Sequence, residues 1–284
     1  MSKQKSLHLQ NIHNNGYDFE ILVSKYSKLE KFVIEKFGKK TIDFSNPVAV
    51  KEFNKALLFA YYGITYWEFP DENLCPPIPG RVDYIHHLAD LLEGKENVKV
   101  LDIGTGATCI YPLLGNSVHN WDFVASDIDS KSLANAQEII DKNELSNQIE
   151  LRFQKDENHI LKGIVNKEDQ FTVTMCNPPF YKSAEEARGA NRRKSRNLGN
   201  NAVRNFAGNA NELWYIGGEK AFLHTYLYES SQLPKASTWF TSLVSKKENV
   251  ESLQNSGKKL GVKEFKVIPM SQGNKVTRIV CWRF

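Results

Sequence analysis

Hydrophobic residues recur at intervals of three and four near the start of the chain. Over residues 17–37 this spacing predicts one amphipathic helix, and its apolar stripe comprises Phe19, Leu22, Tyr26, Leu29, Val33 and Phe37. A second helix is predicted to begin at Asn46-Pro47, a capping residue followed by a proline suited to the first helical position, and to end near Gly63. The pattern therefore predicts a small helical module over residues 1–75.

The pattern changes after a proline-rich connector. Prolines at positions 70, 76, 77 and 79 predict a stiff extended segment, followed by a helix from about Val82 to Leu92. Seven short apolar runs then follow, mostly separated by helical stretches, and they read VKVLDI, DFVASD, IELRF, FTVTMC, STWFTSLV, FKVIP and RIVCWRF. This alternation predicts an α/β fold over residues 76–284, with a seven-stranded, mostly parallel sheet covered on both faces. The close spacing of the last two runs predicts an antiparallel last strand.

The composition is that of an ordinary globular protein. The 284 residues are 41% apolar and 25% charged, which excludes a disordered or fibrous chain. The longest nearly unbroken apolar stretch, residues 56–64, is too short to cross a bilayer, and the first residues lack a secretory signal, so we expect a cytoplasmic protein without a membrane partner. The four cysteines lie 34, 67 and 105 residues apart, which predicts neither a metal site nor a disulfide.

The positive charge is concentrated in one segment. The net charge is +4, yet residues 187–211 contain six basic residues and no acidic one: Arg188, Arg192, Arg193, Lys194, Arg196 and Arg204. A local excess of positive charge is typical of a site that meets a polyanion, although a solvated loop is the plain alternative. Lys3, Lys5, His8 and His13 suggest a second basic arm near the amino terminus.

The first of the seven runs ends in a glycine turn, DIGTGA. Gly104 and Gly106 allow the backbone to turn tightly and approach a ligand closely, although a plain turn explains them too. A nicotinamide-type fingerprint would require a third glycine where the chain has Cys109, which disfavours a pyrophosphate. Asp127 ends the next strand, 23 residues beyond Gly104, where its carboxylate can accept bonds from both ribose hydroxyls. A nucleoside site is indicated; Asp129 could serve the same purpose or cap the following helix.

A second motif, Asn177-Pro178-Pro179-Phe180, follows another predicted strand. Two prolines end a strand and hold the chain extended, so a plain loop is one interpretation. Methylation of an aromatic amine requires two acceptors for its N–H groups, and the Asn177 side chain and a neighbouring backbone carbonyl supply them. The aromatic ring at position 180 can stack on a base. Because ligands bind beyond the carboxyl ends of strands in such sheets, we expect this motif and the glycine turn to meet.

Together these motifs resemble a known family. DIGTGA and NPPF, with Asp127 between them, are similar to class I S-adenosylmethionine-dependent methyltransferases with a Rossmann-like fold that act on an adenine amine. The segments GYDF, IDFSNPVAVKEFN, CPPIPGRVDYIHHLADLL, LDIGTGATCIYPLLG, CNPPFYKSAEEA and WFTSLVS resemble more narrowly the RlmF family of 23S ribosomal RNA adenine N6-methyltransferases. The resemblance runs from about residue 8 to the end of the chain and includes the N-terminal module.

The resemblance implies roles for individual residues. It implies that Asp127 holds the cofactor ribose, that Arg81 reaches its carboxylate, and that Asn158 lies near its adenosine. The methionine end would be lined by Gly104, Thr105, Gly106 and Thr108, and Asp102 and Asn177 complete the expected cofactor contacts. Asn177, Pro178, Pro179 and Phe180 match the family's catalytic motif.

The sequence therefore predicts an enzyme that methylates the 6-amino group of an adenine in 23S ribosomal RNA, either in free RNA or in an assembly intermediate of the large subunit. The six basic residues and the N-terminal module would contact this RNA. Two alternatives remain at this point: a methyltransferase for DNA adenine or a protein glutamine, and an RNA-binding module without activity.

Overall fold

The computed structural model describes residues 6–179, 181–183, 185–186, 214–272 and 275–284, with the backbone alone at residues 271, 272, 275 and 276. Seven strands form one sheet: β3 (Lys99–Ile103), β4 (Asp122–Asp127), β5 (Ile149–Phe153), β6 (Phe171–Cys176), β7 (Ser237–Val244), β8 (Glu264–Gln272) and β9 (Lys275–Arg283). Their spatial order is β5-β4-β3-β6-β7-β9-β8. The first five strands in this spatial order, β5, β4, β3, β6 and β7, are parallel to one another. The strand β9 runs antiparallel to both of its neighbours, β7 and β8. The predicted α/β fold is confirmed.

The helices cover both faces of this sheet. They must do so because successive apolar residues of each strand point to opposite faces, so both faces are apolar. They are α1 (Phe19–Lys25), α2 (Pro47–Tyr61), α3 (Ile78–Leu91), α4 (Ile110–His119), α5 (Ser130–Lys142), α6 (Gly218–Gln232) and α7 (Lys247–Lys259). Val100 and Val173 belong to the core on one face, which also contains side chains of α2 to α5. Leu101 and Ile103 belong to the core on the other face, with α6 and α7.

The N-terminal region differs from the prediction. Residues 17–37 do not form one helix: α1 ends at Lys25, a 3-10 helix spans Ser27–Phe32, and the strand β1 (Val33–Lys36) follows, pairing antiparallel with β2 (Lys39–Ile42). The reason lies at Phe37 and Gly38, whose φ angles of 54° and 70° form the tight turn of a hairpin. The predicted second helix is correct, because Asn46 caps α2 with its side chain and Pro47 is its first residue.

The N-terminal residues share the core on the α2 to α5 face. Leu22, Leu57 and Trp67 are fully or almost fully buried in the same cluster as Val100 of the sheet. The indole of Trp67 donates a hydrogen bond to the carbonyl of Thr108, just before α4. The N-terminal region thus packs directly against the chain that follows the glycine turn.

Two further observations concern the described part of the chain. No helix in it is long and apolar enough to cross a membrane. It also contains no group of three or more histidine, cysteine or acidic side chains arranged to hold a metal ion, and its four cysteines are free.

Candidate active site

The strands β4, β3 and β6 lie side by side and parallel, so their carboxyl ends meet at one edge of the sheet. A cavity of about 1190 Å³, including space open to solvent, lies at this edge. The glycine turn after β3 and Asn177 after β6 open onto this same cavity. The predicted site residues in its lining are Arg81, Gly104, Thr105, Gly106, Thr108, Asp127, Asn177 and Pro179.

The glycine turn is held by the neighbouring strand. Gly104 and Gly106 have φ angles of 75° and 64°, a left-handed conformation that favours glycine. The backbone N–H groups of Gly104 and Thr105 both donate to the carbonyl of Ser126 in β4, at 2.9 and 3.0 Å. The turn therefore has a fixed position relative to Asp127, which follows Ser126.

Asp127 is anchored by backbone groups. Its Oδ2 accepts a hydrogen bond from the N–H of Gly106 at 2.8 Å, and its Oδ1 accepts one from the N–H of Asp129 at 2.9 Å. Burial raises the pKa of the Asp127 carboxyl, and these backbone donors oppose the shift. Each oxygen keeps a free lone pair with which it can accept a hydroxyl. Asp129 caps α5, because its side chain accepts from the N–H groups of Lys131 and Ser132.

Asp102 lies in β3, two residues before Gly104, and its side chain does not line the cavity. Its side chain is completely buried, and neither carboxylate oxygen has a hydrogen-bond partner among the described residues. Burial raises its pKa to about 7. An unpaired buried carboxylate of this kind costs stability unless a cationic ligand group approaches it.

Arg81 enters the cavity from α3. Its Nη1 donates a hydrogen bond to the hydroxyl of Tyr111 at 2.7 Å, and its guanidinium carbon lies 5.4 Å from the centre of the Tyr111 ring. Its Nε is buried and meets no acceptor in the described part of the chain. Tyr111 thus orients a guanidinium that still has donors for an anionic group.

The Asn177 motif begins immediately after β6. Asn177 and Pro179 are half-buried and line the cavity, whereas Pro178 between them is buried and is not in the lining. Phe180 lies outside the described residues. The basic residues Arg188, Arg192, Arg193, Lys194, Arg196 and Arg204 also lie outside them, as do Lys3 and Lys5.

The structure gives the surroundings of two further residues, Asn158 and His13. Asn158 is exposed, does not line the cavity, and donates its side-chain N–H to Asp156 at 2.9 Å, whereas its neighbours Glu157 and His159 do line it. His13 is buried and hydrogen-bonded to the hydroxyl of Tyr62 at 2.8 Å, and burial lowers its pKa to about 4. An uncharged, buried imidazole cannot belong to a basic arm.

Several lining residues were not predicted from the sequence. Tyr111 and Ile128 adjoin the two cofactor motifs, and Trp214, Tyr215 and Phe222 come from the start of α6 and the chain before it. Ile128 is 40% exposed, and no sequence signal marked it as a lining residue. Trp214 was recognisable by its position next to the basic segment.

Known proteins identify the chain. A family model described as RNA methyltransferase matches residues 1–284. The chain belongs to this RNA methyltransferase family. The ribosomal RNA large subunit methyltransferase F of Shewanella oneidensis is 50% identical over 100% of this chain and 82% of its own length. Relatives of the same name from Flavobacterium johnsoniae and Bacteroides thetaiotaomicron are 49% and 46% identical, over 100% of this chain and 95% and 99% of their own. The resemblance to the RlmF family is confirmed.

Solved structures of human METTL16 have the same fold as this RNA methyltransferase. Its catalytic domain in complex with the MAT2A 3′UTR hairpin 1 matches with a TM-score of 0.86 and 31% identity, covering 99% of this chain and 96% of that one. Its N-terminal domain in complex with SAH matches with a TM-score of 0.79 and 28% identity, covering 99% of both chains. The likeness extends over the N-terminal region as well as the sheet.

Proposed function

We propose that this RNA methyltransferase transfers a methyl group from S-adenosylmethionine to the exocyclic 6-amino group of an adenine in 23S ribosomal RNA. The observation that carries the proposal is that the glycine turn after β3 and Asn177 after β6 open onto one cavity. Relatives up to 50% identical are named as methyltransferases of the large-subunit ribosomal RNA, which supports this substrate.

The residues around the glycine turn fit S-adenosylmethionine, the methyl donor of this enzyme. Asp102 is a buried acceptor without a partner among the described residues, which suits the ammonium of the methionine end. Arg81 offers unused donors to the carboxylate. Asp127 keeps a lone pair on each oxygen for the ribose hydroxyls. The bound cofactor supplies an electrophilic methyl group on a sulfonium.

Asn177 would orient the acceptor amine. The lone pair of an adenine amine is delocalised into the ring, so it becomes nucleophilic when both N–H groups are held out of the ring plane. The side-chain oxygen of Asn177 would accept one N–H, and the backbone carbonyl of Pro178 would accept the other. Phe180 would stack on the base and fix its plane.

The methyl transfer needs no strong base in the protein. The amine nitrogen forms a bond to the methyl carbon while the bond from that carbon to sulfur breaks. The product nitrogen is then cationic and acidic, and its proton can leave to water. Asn177 therefore acts by positioning and by stabilising the developing positive charge on the amine.

RNA would reach this cavity as an unstacked base, since the amine must leave the helix to meet the methyl group. The six basic residues of segment 187–211 and the N-terminal module, residues 1–75, are proposed to contact the RNA backbone. An assembly intermediate of the large subunit is an alternative form of the substrate.

The test is Asn177→Ala, assayed with 23S ribosomal RNA and nucleoside mass spectrometry. We expect a loss of N6-methyladenine formation of at least about 1000-fold, because orientation and charge stabilisation both depend on this side chain. Calorimetry should show that S-adenosylmethionine binding is retained in part.

Parallel assays with duplex DNA and with a release-factor protein should show no transfer. Transfer to either of them in preference to RNA, or unchanged turnover by Asn177→Ala, would contradict the proposal.

A further inference from the structure

Trp214 holds a buried hydrogen-bond donor at the cavity. It lines the cavity together with Asn177 and Pro179, and its Nε1 is buried with no acceptor among the described residues. An indole N–H can only donate, and a buried donor without an acceptor is rare because it loses its bond to water without replacing it. The described residues supply no acceptor for this donor, so a bound ligand is the candidate for one.

Three other buried groups at or next to the cavity have no hydrogen-bond partner among the described residues: the Nε of Arg81, the hydroxyl of Thr105 and the carboxylate of Asp102. The Nε of Arg81 matches a carboxylate, and the Asp102 carboxylate matches an ammonium. All three belong to α3, to β3 or to the glycine turn. The indole of Trp214 comes from the chain before α6, and the cofactor groups considered above leave it without an acceptor.

The backbone places Trp214 beside the Asn177 motif. Trp214 forms an isolated parallel bridge with Tyr181, and the N–H of Tyr215 donates to the carbonyl of Tyr181 at 3.0 Å. Trp214 therefore lies one strand spacing, about 4.8 Å, from a residue only two positions beyond Pro179. The Tyr215 ring packs edge to face on Phe222, with centroids 5.4 Å apart, which supports this wall of the cavity.

Adenine presents the acceptor that this geometry needs. Its amine is flanked by two ring nitrogens, N1 and N7, and both accept hydrogen bonds. When Asn177 accepts from the amine, one of these nitrogens faces the neighbouring wall. A base that carries a carbonyl oxygen in place of the amine would be disfavoured, because its oxygen and the side-chain oxygen of Asn177 are both acceptors and would repel each other.

We propose that Trp214 is a specificity-determining residue that donates its indole N–H to a ring nitrogen next to the target amine. This inference rests on the proposed function, since it assumes that adenine N6 is the acceptor. Together, Asn177 as acceptor and Trp214 as donor recognise an amine adjacent to a ring nitrogen.

The first experiment uses the wild-type enzyme and RNA substrates with a modified target base. One carries 1-deazaadenine and the other 7-deazaadenine, and each lacks one of the two acceptors. We expect kcat/KM to fall about 10-fold for one analogue and little for the other, because a single buried hydrogen bond is lost. Equal activity on both analogues and on adenine would overturn the inference.

The second experiment combines these substrates with Trp214→Phe, which keeps an aromatic ring but removes the N–H. We expect kcat/KM of the variant on adenine to be about 10-fold lower than that of the wild type. On the analogue that slows the wild type, the variant should be as active as it is on adenine, because the hydrogen bond is already lost. Its affinity for S-adenosylmethionine should stay unchanged in calorimetry. Full sensitivity of the variant to the analogue, or a loss of cofactor affinity, would contradict the assignment.

Two additional proteins separate this result from effects on folding. Replacement of Trp214 by β-(3-benzothienyl)alanine keeps the shape of the side chain and removes the donor, so it should behave like Trp214→Phe even if that variant folds poorly. Trp239→Phe makes the same change away from the cavity, where the ring packs between Lys266 and Arg283, and should leave the preference for adenine intact. If the wild type transferred no methyl group to adenine N6 in any RNA, the proposed function itself would fail.

Discussion

The ends of β3 and β4 each place one carboxylate next to the glycine turn, and the two differ in how they are paired. Asp127 accepts hydrogen bonds from the backbone of Gly106 and Asp129, whereas Asp102 has no partner among the described residues. Asp102 is fully buried and Asp127 is half-buried, and desolvation raises the pKa of both carboxyl groups. Backbone donors fix Asp127 and partly stabilise its charge, while the neighbouring Thr105 hydroxyl opposes the rise in the pKa of Asp102 without cancelling it. The proposed function assigns Asp127 to the ribose and Asp102 to the ammonium of the cofactor.

Among the residues around the glycine turn, Asp127→Ala should cause the largest loss of cofactor affinity. We expect S-adenosylmethionine to bind about 100-fold more weakly, because two charge-assisted hydrogen bonds of at least about 1.5 kcal/mol each are lost. Calorimetry measures this loss directly. Asp129→Ala is the matched control. Asp129 also lines the cavity, but its carboxylate is engaged as the cap of α5, so the change should lower the free energy of unfolding by about 1 kcal/mol and weaken cofactor binding far less than Asp127→Ala does. Equal losses of cofactor affinity in the two variants would contradict the assignment of the ribose contact to Asp127 rather than to Asp129.

Asp102→Asn should have opposite effects on binding and stability. We expect S-adenosylmethionine to bind about tenfold more weakly, because an ion pair with its ammonium becomes a neutral contact. The pKa of Asp102 is raised to about 7 from 3.8, so the folded state holds a proton that the unfolded chain has released between these pH values. The contribution of Asp102 to the free energy of unfolding therefore falls as the pH rises from about 4 to about 7, by up to roughly 4 kcal/mol.

Urea unfolding of the cofactor-free protein at pH 5 and pH 8 tests the sign of this effect. The variant should be more stable than the wild type at pH 8, and the difference should shrink at pH 5, where Asp102 is protonated. A variant that is less stable than the wild type at pH 8 would show that Asp102 has a partner in the free enzyme.

The smallest effect is expected for Tyr111→Phe. The guanidinium of Arg81 loses one hydrogen bond and its orientation, so cofactor affinity should fall about threefold. Tyr84→Phe provides the control, because the Tyr84 hydroxyl bonds to Thr241 and does not line the cavity. Tyr84→Phe should lower the free energy of unfolding and leave the affinity for S-adenosylmethionine unchanged. A loss of cofactor affinity in Tyr84→Phe but not in Tyr111→Phe would show that Tyr111 does not support the cofactor site.

The strands of the sheet were predictable because each is a short apolar run next to a turn signal. DIGTGA and the Asn177 motif could also be placed at strand ends, and parallel strands bring such ends to the same edge. The N-terminal helix over residues 17–37 was predicted wrongly, because the apolar spacing of three and four continued through residues that form a hairpin. Gly38, four residues after the β-branched pair Val33 and Ile34, was the local signal for that turn.

The pairing of the site residues could not be predicted in the same way. The contact between Arg81 and Tyr111 joins residues 30 positions apart on different helices, so it depends on how α3 packs against α4. Whether the Asp102 carboxylate finds a hydrogen-bond partner depends on the packing of all the helices and strands around it, which the sequence motif alone does not reveal. The exposure of Asn158 could not be predicted either, since it depends on the local turn at Asp156, and its contact with the cofactor remains a prediction.

The central claim is that one cavity brings the methyl donor and the target amine together. Its most direct test is a structure of the enzyme with S-adenosylhomocysteine and an RNA fragment that contains the target adenine. The account predicts the sulfur by the glycine turn and the adenine amine at Asn177, with space for one methyl carbon about 3 to 3.5 Å from the amine nitrogen. An adenine bound in a different cavity, or an amine on the far side of the base from the sulfur, would contradict it.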